Sequence, residues 1–153
     1  MRRLATALTL ALALGGLGLL VPSVPAATQG ISGIWRNASS GVVIRIERVP
    51  GTKRFVGRHE TAALINKPPC VVQIPIGNLI FKWAKAPKRK QGKRSKGVLY
   101  QGRERIFRIR QGGCEPFMAH STARLKQDRL KVRTADPRLS NVLNSTYLRV
   151  PQQ

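Results

Sequence analysis

The clearest pattern in this chain is an alternation of apolar and polar residues over short segments. In residues 42–49, Ile44 and Ile46 fall on one side and Arg45 and Glu47 on the other. Because successive side chains of a strand point to opposite faces, this spacing predicts a half-buried β-strand. Turns rich in Gly, Pro and Asn separate it from other segments of strand character. The predicted strands are residues 31–36, 42–49, 54–60, 79–84, 97–100, 105–110, 117–127, 129–134 and 145–150, and residues 70–74 could form a further short strand.

Helical patterns are nearly missing from the chain. No segment repeats its apolar residues at the helical period over three or more turns. One helical turn is expected at residues 62–65, before Pro68 and Pro69 end regular structure. About eight or nine short antiparallel strands can build a barrel or a sandwich, and sequential hairpins such as that at Gln127-Asp128 favour an up-and-down meander. We therefore predict an all-β fold in which the last strand pairs with the first and closes a small barrel.

Residues 1–26 have the three-part layout of a secretory signal peptide. A short positive segment precedes an uncharged apolar run over residues 4–21, and small residues up to Ala26 supply a cleavage site. An uncleaved membrane anchor is the alternative, since the run approaches the length of a membrane span. Its glycines and the prolines that follow it favour cleavage. We expect an exported protein, periplasmic or extracellular, in which residues 27–153 form one domain without a transmembrane span.

Positive charge dominates the composition. The chain has 28 Lys and Arg against six Asp and Glu, a formal net charge of +22. Such a field attracts anionic partners, although basic residues on nearly every predicted strand also indicate an ordinary solvated face. No acidic residue lies between Glu60 and Glu104, and a basic loop spans residues 85–96. The candidate anion-binding residues in and beside this loop are Lys82, Lys85, Lys88, Arg89, Lys90, Lys93, Arg94 and Lys96.

Two aromatic residues, Trp83 and Tyr100, flank the basic loop. They could stack on bases or sugars beside the cations; the alternative, which we favour, is that both rings point into the barrel and the loop is a solvated hairpin tip. Outside the cytosol the abundant polyanions are lipid head groups, lipopolysaccharide and wall polymers, and nucleic acid would bind only non-specifically. We therefore expect a non-enzymatic protein that binds an anionic envelope surface or polyanion, a membrane surface included, through this loop.

The chain has two cysteines, Cys70 and Cys114. In an exported protein an isolated pair is most simply one disulfide. The alternatives are two free thiols or half of a metal site. A metal site needs more ligands, and His59 and His120 lie at no recognisable ligand spacing from the cysteines. We expect a disulfide and no metal site.

Four short segments carry a recognisable pattern: Gly33-Ile34-Trp35, the strand of residues 42–46, Leu130-Lys131-Val132-Arg133 and the closing Tyr147-Leu148-Arg149-Val150. Together they resemble small exported bacterial lipocalin-like barrels of uncharacterised function. In layout the resemblance covers most of residues 27–153, but in residues it covers these motifs alone. It implies a lipocalin-like barrel and an envelope location, and it assigns no functional residue. The basic loop and the cysteine pair depart from that family's pattern.

The chain has few residues suited to catalysis, which requires positioned groups with tuned pKa values. His59 and Glu60 are adjacent on one predicted strand, so their side chains point to opposite faces. Glu115 and His120 could share a rim near the cysteines. We find no nucleophile elbow and no glycine-rich phosphate loop, and we expect neither a cofactor nor enzymatic activity. The alternatives to surface binding are a carrier of a small apolar ligand inside the barrel and a hydrolase with an unrecognised site.

Overall fold

The computed structural model describes residues 30–87, 97–110 and 112–151. The predicted signal peptide, residues 1–26, and most of the basic loop lie outside these ranges. Within them the fold is all-β, with ten strands. The strands are β1 (Gly33–Asn37), β2 (Val43–Arg48), β3 (Arg54–His59), β4 (Ala63–Lys67), β5 (Cys70–Ile74), β6 (Leu79–Lys85), β7 (Val98–Arg110), β8 (Gly113–Lys126), β9 (Arg129–Thr134) and β10 (Leu143–Arg149).

Eight of the strands close into a barrel in the order β1-β10-β9-β8-β7-β6-β3-β2. Every neighbouring pair is antiparallel, and β1 pairs with both β2 and β10. Strands adjacent in the chain are adjacent in the barrel, except that the β4–β5 hairpin leaves it between β3 and β6. The predicted antiparallel up-and-down barrel, closed by the last strand on the first, is confirmed. Because the barrel is closed, each of its strands is hydrogen-bonded to a neighbour on both sides.

The prediction of a helical turn at residues 62–65 is wrong. These residues belong to β4 and its approach, and β4 pairs with β5 from Ala63 opposite Ile74 to Lys67 opposite Cys70. One helical turn is intrinsically unfavourable, because it orders several backbone dihedral angles for a single hydrogen bond. Cross-strand pairing satisfies more backbone groups of the same segment, so the hairpin forms instead.

Strand β7 is longer than the sequence predicted. Residues 97–100 and 105–110 were expected to be separate strands, but one strand runs unbroken through Val98–Arg110. Glu104 lies between the two segments at an inward position, opposite Phe81 and Ala119. A charged side chain on the apolar side interrupts the alternation in the sequence, although the backbone continues.

Strands β7 and β8 extend beyond the barrel as a ribbon. Strand β6 pairs with β7 only as far as Glu104, and beyond it residues 105–110 and 113–118 pair with each other. The predicted disulfide between Cys70 and Cys114 is confirmed, and it joins the ribbon to the β4–β5 hairpin. We call this hairpin and the ribbon together the arm.

Large side chains fill the barrel interior. Trp35, Phe81 and Trp83 are almost fully buried, and the last two stack with ring centroids 4.1 Å apart. Two glycines make room for these rings. A Cβ atom on Gly57 would lie 2.6 Å from the Phe81 ring, and one on Gly102 would lie 2.8 Å from the Trp83 ring. Burial of such rings is the main source of stability in a small domain.

The two ends of the barrel differ. The start of β1, the end of β10 and the β6–β7 connection share one end, which we call the loop end, and the arm lies at the other. Arg149 covers the loop end, with its guanidinium group 4.2 Å from the centre of the Trp35 ring. It also donates hydrogen bonds to the carbonyl oxygens of Gly30 and Ser32, at 2.8 Å each. This end of the core is therefore closed by a cation over an aromatic ring.

Candidate anion-binding surface

The described residues include only part of the predicted anion-binding set. Lys82 and Lys85 lie on β6 and are exposed. The other members lie outside the described residues, and their role in anion binding stays a prediction; they are Lys88, Arg89, Lys90, Lys93, Arg94 and Lys96.

Trp83 and Tyr100 are core residues. They are 2% and 3% exposed, because both occupy inward positions of their strands. The indole N–H of Trp83 donates a hydrogen bond of 2.8 Å to the Ser121 hydroxyl. Phe55 packs edge-on against the Tyr100 ring, with centroids 5.5 Å apart. Both rings therefore point into the barrel, which is the alternative that the sequence favoured. They are not available at the surface for stacking on a base or sugar.

The outer face of four neighbouring barrel strands, β6 to β9, is strongly cationic. The register places Lys82 opposite Arg103 and Arg124 opposite Lys131. Like charges directly opposite each other destabilise a sheet. The outward positions of the barrel part of these strands carry no carboxylate. We call the following seven residues the cationic face: Lys82, Arg103, Arg124, Lys126, Arg129, Lys131 and Arg133.

Sequence reasoning missed most of this face. Arg103 falls in the gap between two segments that were predicted to be separate strands. The basic residues of β8 and β9 were interpreted as ordinary solvated charge, like those on nearly every predicted strand. The signal that could have found them was the lack of any acid among those outward positions. The pairing of like charges becomes visible only with the register.

The carboxylates of the chain lie elsewhere. Four of them form ion pairs with arginines outside the cationic face: Glu60 with Arg45, Glu115 with Arg108 and Arg110, Asp128 with Arg149, and Asp136 with Arg138. Hydrogen bonds from these arginines lower the pKa of Glu60, Glu115 and Asp136. Glu47 lies on β2 and Glu104 inside the barrel. In the part of the chain that the structure describes, no residue of the cationic face forms an ion pair with a carboxylate.

A groove of ≈ 530 Å³ crosses the cationic face. Arg103 and Arg133 line it from β7 and β9, the strands on either side of β8. Gln101, His120 and Thr122 contribute further polar groups. The remaining lining residues are small: Ala84, Gly102, Ser121 and Ala135. The groove thus offers two guanidinium groups and several hydrogen-bonding groups around a shallow depression.

Inside the barrel, Glu104 is a buried carboxyl group near the arm. Burial raises its pKa to about 7, although a hydrogen bond donated by the Thr134 hydroxyl acts in the opposite direction. Burial also raises the pKa of Tyr147. In the described ranges, Nδ1 of His59 is buried without a hydrogen-bond partner, and burial lowers the pKa of this imidazole. Glu104 and Tyr147 are buried and His59 is half-buried, so the ionisation of these groups affects stability.

The residues considered for acid–base chemistry do not form pairs. Glu60 forms an ion pair with Arg45, whereas His59 occupies an inward position of β3. Glu115 forms its ion pairs within the arm, while His120 lines the groove. The suggestion that Glu115 and His120 could share a rim near the cysteines is not met, because one lies in the arm and the other lines the groove.

Comparison with known proteins finds no matching family model, no matching curated protein and no matching solved structure. In the described ranges, no helix is long and apolar enough to cross a membrane. The same ranges hold no group of three or more His, Cys, Asp or Glu side chains that could bind a metal ion. The surface is therefore interpreted from its own geometry and charge.

Proposed function

We propose that this protein is a non-enzymatic binding protein that holds an anionic polymer or anionic surface against its cationic face, with the basic loop of residues 85–96 extending the contact. The observation that carries the proposal is the cross-strand register of like charges, such as Arg124 opposite Lys131, on a face without a carboxylate. Such contacts cost stability. An anionic partner would relieve this repulsion as it binds.

The chemistry of the face suits phosphate and sulfate. Arginine presents a planar fork of donors that matches these groups, and lysine acts as a compact point charge. Each phosphate contact releases condensed counterions, so five contacts on duplex DNA would give a log–log salt slope of about −4.5. Binding of this kind depends strongly on salt and weakly on sequence. Nucleic acid would accordingly be a non-specific partner.

The compartment decides which polyanions the protein meets. The disulfide between Cys70 and Cys114 is compatible with export. Disulfides persist in oxidising compartments, and the layout of residues 1–26 supports a cleaved signal peptide. We therefore propose envelope polyanions as partners: lipopolysaccharide, anionic lipid head groups or wall polymers.

The filled interior favours the outer surface over carriage of a ligand inside the barrel. The closed eight-stranded barrel and the Gly33-Ile34-Trp35 motif support a lipocalin-like assignment. Carriage inside a barrel requires a cavity of ligand size. In this chain Phe81 and Trp83 occupy the interior. No observation favours the carrier or the hydrolase over surface binding.

The test is binding of the purified protein to polyphosphate and to vesicles that contain anionic phospholipid, each at two salt concentrations. Replacing Lys126, Arg129 and Lys131 by Gln removes three cations from the face. We expect the affinity at low salt to fall at least about tenfold. The log–log salt slope should flatten by about 3, which is roughly one per lost phosphate contact.

A matched control removes the same charge from the other side of the barrel. Arg36, Arg48 and Lys53, on or next to β1, β2 and β3, are exposed, and their replacement by Gln should leave the salt slope unchanged. Equal losses in both variants would show that only net charge matters, which contradicts a specific face. Unchanged binding in the face variant would contradict the proposal entirely. Thermal unfolding of each variant confirms that it folds.

A further inference from the structure

The groove brings two arginines of the cationic face together around one depression. Arg103 lies opposite His120, and Arg133 lies opposite Thr122, so the two arginines flank β8 from different strands. Neighbouring strands are about 4.8 Å apart, and His120 and Thr122 are separated by about 7 Å along β8, which together place the backbones of the two arginines roughly 12 Å apart. Arginine side chains are long enough to converge on one anionic group from that separation.

Small residues create the depression between these arginines. Ala84 and Ala135 line it with side chains that end at Cβ. The volume of ≈ 530 Å³ lies within the range of small-molecule sites, roughly 300–1,000 Å³. The amide of Gln101 and the hydroxyl of Thr122 also line the groove. It therefore has room and hydrogen-bonding groups for more than a bare anion.

The lining disfavours other classes of ligand. Stacking of a nucleobase would require an exposed ring, but Trp83 and Tyr100 lie in the core. A lipid chain would require large apolar side chains, and the apolar lining residues are alanines. The carboxylate of Asp136, which follows β9, is held by Arg138 at 2.7 Å and is 3% exposed. A polar ligand with a negative charge fits this lining best.

We propose that the groove binds a phosphorylated saccharide, with the phosphomonoester between Arg103 and Arg133 and the sugar hydroxyls on Gln101 and Thr122. The inference rests on the proposed function and deepens it. The cationic face attracts polyanions by charge, and the groove selects a phosphosugar unit within them. A free sugar phosphate and a phosphorylated glycan share this chemistry, and the experiment separates these two sources.

The probes are glucose 6-phosphate, inorganic phosphate and glucose, titrated into ¹⁵N-labelled protein and followed through backbone amide shifts. We expect saturable shifts at Gln101, His120 and Thr122 with glucose 6-phosphate. Inorganic phosphate should bind at least about tenfold more weakly because it makes no sugar contacts. Glucose alone should give no saturable shift. A phosphorylated oligosaccharide that binds more tightly than glucose 6-phosphate identifies a glycan as the source, and equal affinity identifies the free sugar phosphate.

Two double variants of equal charge test the position of the site. Replacing Arg103 and Arg133 by Gln should lower the glucose 6-phosphate affinity at least about tenfold, since both charge-assisted contacts are lost. Replacing Arg124 and Lys131 by Gln leaves the groove arginines in place and should cost less than about threefold. Thr122→Val should weaken glucose 6-phosphate while leaving inorganic phosphate unchanged.

Equal losses in the two double variants would overturn the inference, and so would inorganic phosphate binding as tightly as glucose 6-phosphate. Either result leaves the proposed function intact as long as polyphosphate binding still depends on Lys126, Arg129 and Lys131. If polyphosphate binding does not depend on Lys126, Arg129 and Lys131, the proposed function itself is contradicted. Circular dichroism of each variant separates a lost contact from a lost fold.

Discussion

The barrel and the arm are held together in different ways. In the barrel, Trp35 and Trp83 are 0% and 2% exposed, at the centre of a continuous core. In the arm, Leu64, Val71 and Ile109 are 64%, 61% and 54% exposed. An element that buries so little apolar surface gains little from the hydrophobic effect. The barrel is therefore ordered by packing, and the arm needs its disulfide.

The two regions also differ in how they treat charge. In the arm, Glu115 forms ion pairs with Arg108 at 2.7 Å and Arg110 at 3.3 Å. The guanidinium group of Arg138 lies 4.2 Å from the centre of the Phe117 ring. On the barrel, the residues of the cationic face lie opposite one another without a carboxylate. The arginines of the arm have structural partners, and the cations of the face are available to a ligand.

The largest contrast between the regions should come from truncating a core ring. Trp83→Ala removes the stacking on Phe81 and the hydrogen bond to Ser121, and should lower the free energy of unfolding by about 3–5 kcal/mol. Urea denaturation measures this loss. The control is Leu64→Ala in the arm, where exposure keeps the expected loss below about 0.5 kcal/mol. Similar losses in both variants would show that the arm belongs to the same core.

Removal of the disulfide should affect the arm more than the barrel. Cys70→Ser together with Cys114→Ser opens a link between residues 44 positions apart, and should cost about 2–4 kcal/mol. Hydrogen exchange should become faster at the amides of the β4–β5 hairpin, whereas amides of β9 and β10 keep their protection. Loss of protection in both regions at once would contradict a barrel that is stable by packing alone.

Glu104 lies where the barrel meets the arm, and it should give stability a pH dependence. Burial raises its pKa to about 7 in the folded protein, while an unfolded Glu has a pKa of about 4.3. The folded state therefore binds the proton more tightly. The stabilisation from this proton is present at low pH and decreases as the pH rises from about 4.3 to about 7, by about 4 kcal/mol in total.

Glu104→Gln isolates this effect, because the amide does not ionise. The variant should be less sensitive to pH between about 5 and 8 than the wild type, as measured by urea denaturation over that range. Burial lowers the pKa of His59, which contributes with the opposite sign, so the difference between the two proteins is the quantity to compare. A variant with the same pH slope as the wild type would refute the role of Glu104.

The smallest expected effect concerns how much folding stability the like charges of the cationic face cost. Lys131→Glu places a carboxylate opposite Arg124, and should raise the free energy of unfolding by about 0.2–1 kcal/mol. The same change should weaken polyphosphate binding. Lys131→Gln, which removes the charge without reversing it, should fall between the two proteins in both measurements. A less stable Lys131→Glu variant would show that the like-charge pairs cost nothing.

Local features of the sequence determined most of the strands. Residues 129–134 and 145–150 correspond to β9 and most of β10, because in–out alternation is a property of a single strand. The hairpin at Gln127-Asp128 also follows from local sequence, and Gln127 has a φ of 52° there. With two cysteines, an exported chain has one intramolecular pairing available. These predictions required no knowledge of distant contacts.

Tertiary structure alone decided the register, and the candidate site depends on it. Arg103 and Arg133 are far apart in sequence, and they line one groove because β7 and β9 both pair with β8 in a fixed register. Pairing with β5 overrode the helical tendency of residues 62–65, and Glu104 interrupted the pattern that would have revealed β7. Alternation shows which face a side chain occupies. It carries little information on which residue lies opposite, because cross-strand partners are set by closure of the whole sheet.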